Sequence, residues 1–528
     1  MKTQSKIFKA ETLAELKEQV KELSKEDLLQ VIMSLHSENE GLKQTLFRKS
    51  ERRQEEMVGQ TLFDEAEATN EIDESAVVTP FIEEGDKKEP SGKARGKRKP
   101  LPKSLPRERV EHDLSEDEKV CPKHQTPMEK IGEKITEQLE IIPASMKVIE
   151  NVTFTYKCLC CSEEDQSCIV TSKNDPQPIP KSMATPTLLA HIATSKFQDA
   201  LPLYRQEKIF ARYGIEMDRT TLARWMIQAA KLSQPLINLM SEDQLANKVI
   251  GCDETPLQVL DEPNRHPQQT SYMWVTCSMD GPPSVLFNYY EGRSAKVATE
   301  LLSQFEGTIV CDGLKSYDAF AAQRKVLLAG CMAHIRRKFY AAEKVAKKAD
   351  PKAIPRAKLP LDLIKALYKI EKEIKNKPPD VVLAERQKKS QPIMADFKIW
   401  LDDQQNKVLP KSLLGKAIHY AFDQWAKMQV FLSNPLVPID NNRTERCIRP
   451  FVIGRGNWMF AQTPKGAHAS ATLYSLIESA KANGIEPFSY LSMIFKELPK
   501  VVDADGFEKL LPYNAQNHFS LKSTQPPQ

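Results

Sequence analysis

The 528-residue sequence has no apolar run that approaches the length needed to cross a bilayer. Its first residues, Met-Lys-Thr-Gln-Ser-Lys, lack the apolar core of a signal peptide. A large net charge is also missing, because 75 basic side chains nearly balance 71 acidic ones and leave +4. These absences predict a cytoplasmic protein with no membrane partner.

The residues that are present are unevenly distributed. Residues 51–84 are mostly acidic and residues 87–109 are mostly basic, which indicates a polyanionic partner. Four of the ten cysteines fall between Cys158 and Cys168. Without a secretion signal, that clustering favours metal binding over a disulfide framework. The length predicts roughly three or four domains.

The N-terminal residues 1–50 are predicted to form a helical zipper. Leu28, Leu35 and Leu42 repeat every seven residues, and Asn39 falls at an a-like position that can fix the register of a coiled coil. The alternative is a helix that packs on its own protein. Residues 51–115 are predicted to be an acidic and then basic linker, which serves either as a phosphate contact or as a solvated tether.

Residues 116–175 are predicted to form a zinc-ribbon-like module. Cys121 and His124 are separated by two residues, as are Cys158 and Cys161, and the segment between the pairs alternates like β-strands. Two such pairs are typical of a Zn²⁺ site with these four ligands. The alternative is a set of buried free cysteines.

Residues 180–245 are predicted to be helical and to resemble a helix-turn-helix. Leu203–Tyr213 is one helix, Gly214 supplies a left-handed turn, and Asp218 caps the next helix. The exposed side of that second helix offers three candidate DNA contacts, which are Arg219, Thr220 and Arg224. Any pair of antiparallel helices could share this pattern.

Residues 246–345 are predicted to hold the first part of a mixed sheet with helices on its faces. A strand at Val249–Cys252 ends in an aspartate, and so does a strand at Thr308–Cys311. Further strands are predicted at 272–279, 284–290 and 326–329, with a helix at 294–304. Residues 346–435 are predicted to be a helical insertion, 436–470 the end of the core, and 471–528 a helical element with a disordered tail from about Asn514.

Three acidic residues are the candidate catalytic group. Asp253 and Asp312 follow the two short strands, and Glu445 lies just inside a predicted helix. Carboxylate oxygens are hard ligands that suit Mg²⁺ or Mn²⁺. A pair of such ions held by this trio is suited to cutting and joining DNA.

The trio has competitors and a simpler interpretation. Aspartates at strand ends often cap turns, and Asp312-Gly resembles a turn. Glu254 and Asp318 are close enough in sequence to take the same roles. Asp440 is better suited to cap the helix that carries Glu445 than to bind metal.

Basic side chains and one aromatic side chain lie close to the acidic residues in the sequence. The basic side chains form either a phosphate clamp or a solvated helix face. The candidate DNA contacts here are His334, Arg336, Arg337, Arg446, Arg449, Arg455 and Trp458. His334 is also a candidate for a catalytic role, against a purely structural one.

Several motifs together resemble transposases of the insertion sequence 66 family. The acidic motifs are Asp253-Glu-Thr-Pro, Asp312-Gly and Asp440-Asn-Asn-Arg-Thr-Glu-Arg. The other motifs are Leu201-Pro-Leu-Tyr-Arg-Gln, Gly330-Cys-Met-Ala-His-Ile-Arg-Arg-Lys-Phe, Gly454-Arg-Gly-Asn-Trp-Met-Phe and Tyr474-Ser-Leu-Ile-Glu-Ser-Ala-Lys. The sequence departs from the family at His124, where the family usually has a cysteine. Histidine also ligates zinc.

The resemblance implies a multidomain α/β protein with an RNase H-like mixed-sheet catalytic core and a helical insertion. A coiled coil, a zinc-ribbon-like module and a helical DNA-binding domain would precede that core. The implied function is that of a bacterial, nucleoid-associated DNA transposase that uses Asp253, Asp312 and Glu445 with two Mg²⁺ or Mn²⁺ ions. Its expected partners are the element ends, target DNA, further copies of itself and small accessory proteins. A nuclease without strand transfer and an inactive DNA-binding regulator are the alternatives.

Overall fold

A computed structural model describes residues 107–109, 119, 123–124, 126–127, 146–157, 169–350, 352 and 354–515. These residues fall into two compact units that divide between Asn174 and Asp175. The predicted zipper, most of the linker and the tail beyond residue 515 lie outside the described residues. Ala515, the last described residue, is fully buried, and the disordered tail predicted from about Asn514 stays a prediction.

The smaller unit contains two short strands. β1 (Thr155–Lys157) pairs antiparallel with β2 (Ile169–Thr171), and Thr155 lies opposite Thr171. The hydroxyl groups of these two threonines are hydrogen-bonded at 3.0 Å. The strands predicted for this module are therefore present in part, and the cysteines beside them are outside the described residues.

The described part of the larger unit begins with helices, and its helices surround a mixed sheet. The helices before the sheet are α1 (Pro186–Phe197), α2 (Leu203–Arg212), α3 (Arg219–Leu232) and α4 (Gln234–Leu245). The helices within the first part of the core are α5 (Ala295–Leu301), α6 (Lys315–Gln323) and α7 (Met332–Ala349). The insertion contains α8 (Lys358–Ile374), α9 (Pro379–Glu385), a π-helical turn (Arg386–Ser390), α10 (Gln391–Gln404), α11 (Leu413–Asp423), α12 (Trp425–Met428) and a 3₁₀ turn (Val430–Leu432). The chain ends with α13 (Asn442–Trp458), α14 (Pro464–Ala482), α15 (Pro487–Glu497), a 3₁₀ turn (Leu498–Lys500) and α16 (Ala504–Lys509). Within the described part of the chain, no helix combines the length and the hydrophobicity that a bilayer crossing needs.

The main sheet has six strands. They are β3 (Val249–Val259), β4 (Thr270–Ser278), β5 (Val285–Tyr290), β6 (Thr308–Val310), β7 (Leu327–Ala329) and β8 (Phe460–Ala461). The spatial order is β5-β4-β3-β6-β7, and β8 also pairs with β3. β3, β4 and β5 are antiparallel, whereas β6 and β8 run parallel to β3 and β7 parallel to β6. The prediction of a mixed sheet with helices around it is confirmed.

Strand β3 differs from its prediction. The sequence predicts a strand that ends before Asp253, but β3 continues to Val259 because β4 pairs with it as far as Gln258. Asp253 is therefore inside a long strand. On the opposite edge, β6 pairs only with residues 249–251 and β8 only with 258–259.

Alternate residues of the sheet bury two different cores. Ile250, Cys252 and Trp274 face the core that contains α5 and α6. Leu257 and Val275 face a core that is shared with α13, α14 and the first helices. The pleat of β3 therefore assigns each carboxylate of this strand to one face.

The insertion has its own core, which extends to Val249 and Val310 of the sheet and to α7. Arg386, buried in the π-helical turn, donates to the carbonyl oxygens of Phe431 and Val437 and pairs with Glu371 at 2.6 Å. These bonds tie the middle of the insertion to the segment that leads into α13.

Candidate active site

Asp253 lies within β3, and Asp312 follows the end of the neighbouring strand β6 by two residues. The last paired residues of the two strands are Gly251 and Val310, so each aspartate comes two residues after the same rung of the parallel ladder. Burial raises the pKa of Asp253 well above its usual range, and the charges of Glu254, Asp312 and Glu445 raise it further. The charges of Asp312 and Glu445 therefore both act on Asp253, and Glu445 contributes the smaller effect of the two.

Each aspartate uses one oxygen to hold its own backbone. Asp253 Oδ1 accepts a hydrogen bond from the N–H of Glu254 at 2.8 Å, and Asp312 Oδ1 accepts one from Leu314 at 2.9 Å. The turn-capping interpretation of Asp312 is therefore correct. The second oxygen of each aspartate has no hydrogen bond to another described residue and is open to a ligand.

Helix α13 places Glu445 in its first turn. The side chain of Asn441, just before the helix, donates to the carbonyl oxygen of Cys252 at 3.4 Å. Thr444 packs directly over Gly251, where any side chain would overlap its hydroxyl oxygen. This glycine allows α13 to lie against β3 two residues from Asp253.

Helix α7 begins beside α13. The N–H of Met332 donates to the carbonyl oxygen of Ile439 at 3.1 Å, and the N–H of Asn441 donates to Cys331 Sγ at 3.2 Å. These bonds set the first turns of the two helices side by side. His334 and Glu445 consequently face each other.

Glu445 is turned toward α7. Its Oε1 lies 3.7 Å from His334 Nδ1, and its Oε2 lies 3.9 Å from a guanidinium nitrogen of Arg337. Burial lowers the pKa of His334, with Arg337 opposing the charged form as well. Among the described residues, Cys331, His334 and Glu445 form a group whose potential metal-ligand atoms all lie within 4.8 Å of one another. The three predicted carboxylates, all among these residues, do not form such a group.

The competing acidic residues have other partners. Glu254 points to the opposite face of β3, accepts from Tyr317 Oη at 3.2 Å and lies 3.7 Å from Arg293. Burial, with the charge of Asp312, raises the pKa of Glu254 to about 7. Asp318 is paired with Lys427 at 2.5 Å.

Asp440 holds the start of α13. Its Oδ1 accepts from the N–H of Asn442 at 3.1 Å, and its Oδ2 accepts from Tyr368 Oη at 2.7 Å. The expectation that it supports the helix start is met by these bonds, although Asn441 occupies the capping position itself.

The bases predicted to contact DNA divide into two groups. Arg337, Arg446 and Arg449 are exposed, and Arg336 is partly exposed with its guanidinium over the ring of Tyr340. They lie on α7 and α13, the helices that carry His334 and Glu445. A polyanion that reached the carboxylates would meet these side chains.

Arg455 and Trp458 are engaged in packing instead. Arg455 donates to Thr255 Oγ1 at 2.9 Å and to the carbonyl oxygen of Pro256, which fastens the end of α13 to β3. Trp458 is partly buried and packs edge-on against Phe451. Their position in the sequence, close to the basic residues, does not predict these contacts. Neither side chain is free to stack on a nucleobase in this arrangement.

Comparison with known families gives the context of this site. The family model described as "Transposase IS66 family" matches residues 181–469, which is more than half of the chain and includes every acidic residue discussed above. The chain belongs to the IS66 transposase family. Three further models match: "zinc-finger binding domain of transposase IS66" at 118–162, "IS66 C-terminal element" at 475–513 and "Transposase C of IS166 homeodomain" at 34–110.

Two relatives of this IS66-family chain come from Sinorhizobium fredii (strain NBRC 101917 / NGR234). "Uncharacterized protein y4jD" is 32% identical over 427 residues, which cover 78% of the chain and 81% of the relative. "Uncharacterized protein y4qI" is 31% identical over 400 residues, which cover 73% of the chain and 71% of the relative. The resemblance inferred from the motifs is confirmed.

Helices α2 and α3 have the arrangement that the sequence predicts. Gly214 between them has φ +75°, and α3 begins at Arg219. The candidate DNA contacts Arg219, Thr220 and Arg224 are exposed, whereas Leu222, Trp225 and Met226 are buried. Asp218 precedes α3, but its side chain makes no capping hydrogen bond. DNA contact by this helix stays a prediction.

Of the four predicted zinc ligands, only His124 is described, and it is exposed in a turn. Cys121, Cys158 and Cys161 lie outside the described residues. The match to the family's zinc-finger module supports a zinc site here, and His124 as a ligand remains a prediction.

Two features of the site have no signal in the local sequence. The close approach of Thr444 to Gly251, and the grouping of Cys331 with Glu445, both join segments far apart in the chain. For the second feature, the sequence does offer one indication, because Cys331 and His334 have the spacing of a metal-ligand pair.

Proposed function

We propose that this chain is a DNA transposase that cleaves and joins strands through Asp253, Asp312 and Glu445. The observation that carries the proposal is the docking of α13 on β3, through Thr444 over Gly251 and Asn441 on Cys252, which brings Glu445 to the part of the sheet where Asp253 lies and where Asp312 follows β6. Carboxylates that oppose one another's ionisation are stabilised by a bound cation. The family to which the chain belongs supports the same chemistry.

We further propose that the core is RNase H-like. A central first strand, two antiparallel strands on one side and two parallel strands on the other are typical of that fold, and the order β5-β4-β3-β6-β7 supports it. The insertion of α8–α12 falls between the second aspartate and the glutamate.

The residues fit a pair of Mg²⁺ or Mn²⁺ ions. Each aspartate has one open oxygen, and Glu445 Oε1 is buried without a hydrogen-bond partner among the described residues, but it faces His334 and would have to turn toward the aspartates to complete the site. The ions would be held by Asp253, Asp312 and Glu445, and when bound they supply a hydroxide nucleophile and neutralise the leaving 3′ oxygen. The turn bonds of the two aspartates fix the direction of the open oxygens.

The surrounding bases would hold the substrate. Arg337, Arg446 and Arg449 are placed to neutralise DNA phosphates beside the carboxylates. The exposed side of α3 would contact the element ends. Pairing of two chains through the N-terminal zipper would hold both ends together, and small proteins of the same element are further candidate partners.

The test is cleavage of a supercoiled plasmid carrying the element ends, in the presence of Mg²⁺. We expect Asp253→Asn to abolish cleavage, because one metal-binding charge is lost from the trio. Glu254→Gln tests the competing carboxylate, which is the next residue but bonds to Tyr317 and lies beside Arg293. Normal cutting by Asp253→Asn would refute the assignment.

The same assay separates the proposal from its alternatives. Cleavage without joined target products would identify a nuclease. End binding without any metal-dependent nicking would identify a DNA-binding regulator.

A further inference from the structure

Cys331, His334 and Glu445 bring sulfur, nitrogen and oxygen donors to one point. Cys331 immediately precedes α7, His334 lies in the first turn of α7, and Glu445 lies in the first turn of α13. One ligand atom from each residue lies within 4.8 Å of the other two. The cluster uses softer donors than the aspartates, and none of its residues was assigned to the predicted zinc module.

Two atoms of this cluster have no hydrogen-bond partner among the described residues. His334 Nδ1 and Glu445 Oε1 are both buried from solvent and both unpartnered. Their separation of 3.7 Å is too long for a hydrogen bond. A buried polar atom without a hydrogen bond costs free energy of folding. Because these two atoms face each other, their arrangement points to a cation between them.

The separation fits ligands of one metal ion. With metal–nitrogen and metal–oxygen distances of about 2.0–2.1 Å, two ligands of a tetrahedral zinc ion are roughly 3.4 Å apart. The observed 3.7 Å is within a small side-chain adjustment of that value. A sulfur, a nitrogen and an oxygen donor favour Zn²⁺ or Co²⁺ over Mg²⁺.

We propose that Cys331, His334 and Glu445 form a second divalent-metal site, of the zinc type, that shares Glu445 with the catalytic trio. Three protein ligands leave a fourth position for water. Thiolate is the form of cysteine that ligates metals, so the ion would displace the proton of the Cys331 thiol. A Glu445 held by this ion is withdrawn from the two aspartates, and zinc is therefore an inhibitor of strand cleavage. This last consequence rests on the proposed function.

The binding test uses the full chain and Co²⁺ as the probe. Replacing Cys121, Cys158 and Cys161 by serine first removes the three thiolate ligands predicted for the zinc module. In that background we expect thiolate-to-cobalt charge-transfer absorption that Cys331→Ser removes. Serine can still accept the hydrogen bond from Asn441, so the helix start is retained. Cys277→Ser is the matched control, because Cys277 is also buried but lies outside the cluster.

The binding result does not depend on activity. Equal cobalt spectra with and without Cys331 would overturn the site and leave a bridging water as the partner of the two orphan atoms. In the cleavage assay, Cys331→Ser should raise the zinc concentration for half-inhibition by about tenfold or more. Unchanged zinc inhibition would overturn the shared role of Glu445, whereas a chain that binds cobalt through Cys331 but never cleaves DNA would refute only the proposed function.

Discussion

The contact between Gly251 and Thr444 makes a sharp prediction about Gly251→Ala. A β-carbon on Gly251 would overlap Thr444 Oγ1 and Met279 Cε and stand 3.0 Å from Cys277 Sγ. Met279 can move its flexible end, but Thr444 is fully buried on α13. The helix must therefore shift away from β3.

Overpacking of this kind lowers the free energy of unfolding by about 1–3 kcal/mol. The same shift carries Glu445 away from Asp253, and a displacement of about 1 Å in a catalytic group costs roughly 100-fold in rate. We therefore expect a strong loss of Mg²⁺-dependent plasmid cleavage with only a moderate loss of stability. Denaturant unfolding and the cleavage assay measure the two effects on the same preparation.

Two further variants make this reasoning refutable. Gly456→Ala is the control, because a β-carbon at Gly456 on the same helix meets nothing within 4 Å, and alanine should stabilise the helix by about 0.5–1 kcal/mol. Adding Thr444→Ala to Gly251→Ala removes the overlapping oxygen and should restore part of the cleavage. If Gly251→Ala alone cleaves and unfolds like the wild type, α13 is not positioned by this contact.

Two predictions concern the sheet edge and a buried carboxyl. Ser475 and Ser479 of α14 bond the backbone of the edge strand β5, with Ser479 Oγ accepting from Val285 at 2.9 Å. Ser479→Ala should lower the free energy of unfolding by about 1–3 kcal/mol because it leaves the buried N–H of Val285 unpaired. Ser470→Ala is the control and should change the free energy of unfolding little, because the Ser470 hydroxyl bonds within its own helix. Equal effects of the two variants in denaturant unfolding would contradict this. Glu254 has a folded pKa of about 7 against an ordinary 4.5, so in the metal-free chain it takes up a proton on folding between these values and stability falls as pH rises through that window. Glu254→Gln should flatten that fall in unfolding curves measured from pH 4.5 to 7.5, and an unchanged difference between the ends of the window would show that Glu254 is not protonated on folding.

Sequence reasoning predicts the local elements of this chain well where one signal dominates. Gly214 and the start of α3 at Arg219 follow from turn and helix rules, and the buried and exposed sides of α3 follow from its periodicity. The predicted β3 is too short because its run of strand-forming residues stops at Asp253, where the sequence indicates a strand end. Its continuation depends on pairing with β4, which a local pattern cannot weigh.

The site itself was predicted less completely than the elements. The three carboxylates could be named from strand ends, a helix start and a family resemblance. Arg455 could not be assigned correctly, because its contacts with Thr255 and Pro256 exist only after α13 has docked on β3. The two-residue strand β8 carries too little sequence to be recognised before its partner is known.

Along the edge of β3 that faces β6, the described residues include strand partners at the two ends and none between residues 251 and 258. Strand pairing changes only by whole residues, so the ladder that ends at Gly251 and Val310 fixes the point from which the segments that carry Asp253 and Asp312 extend. The docking of a helix can slide by fractions of an ångström. In the proposed metal site, the glutamate is then the ligand whose distance can be adjusted, and the two aspartates are its reference.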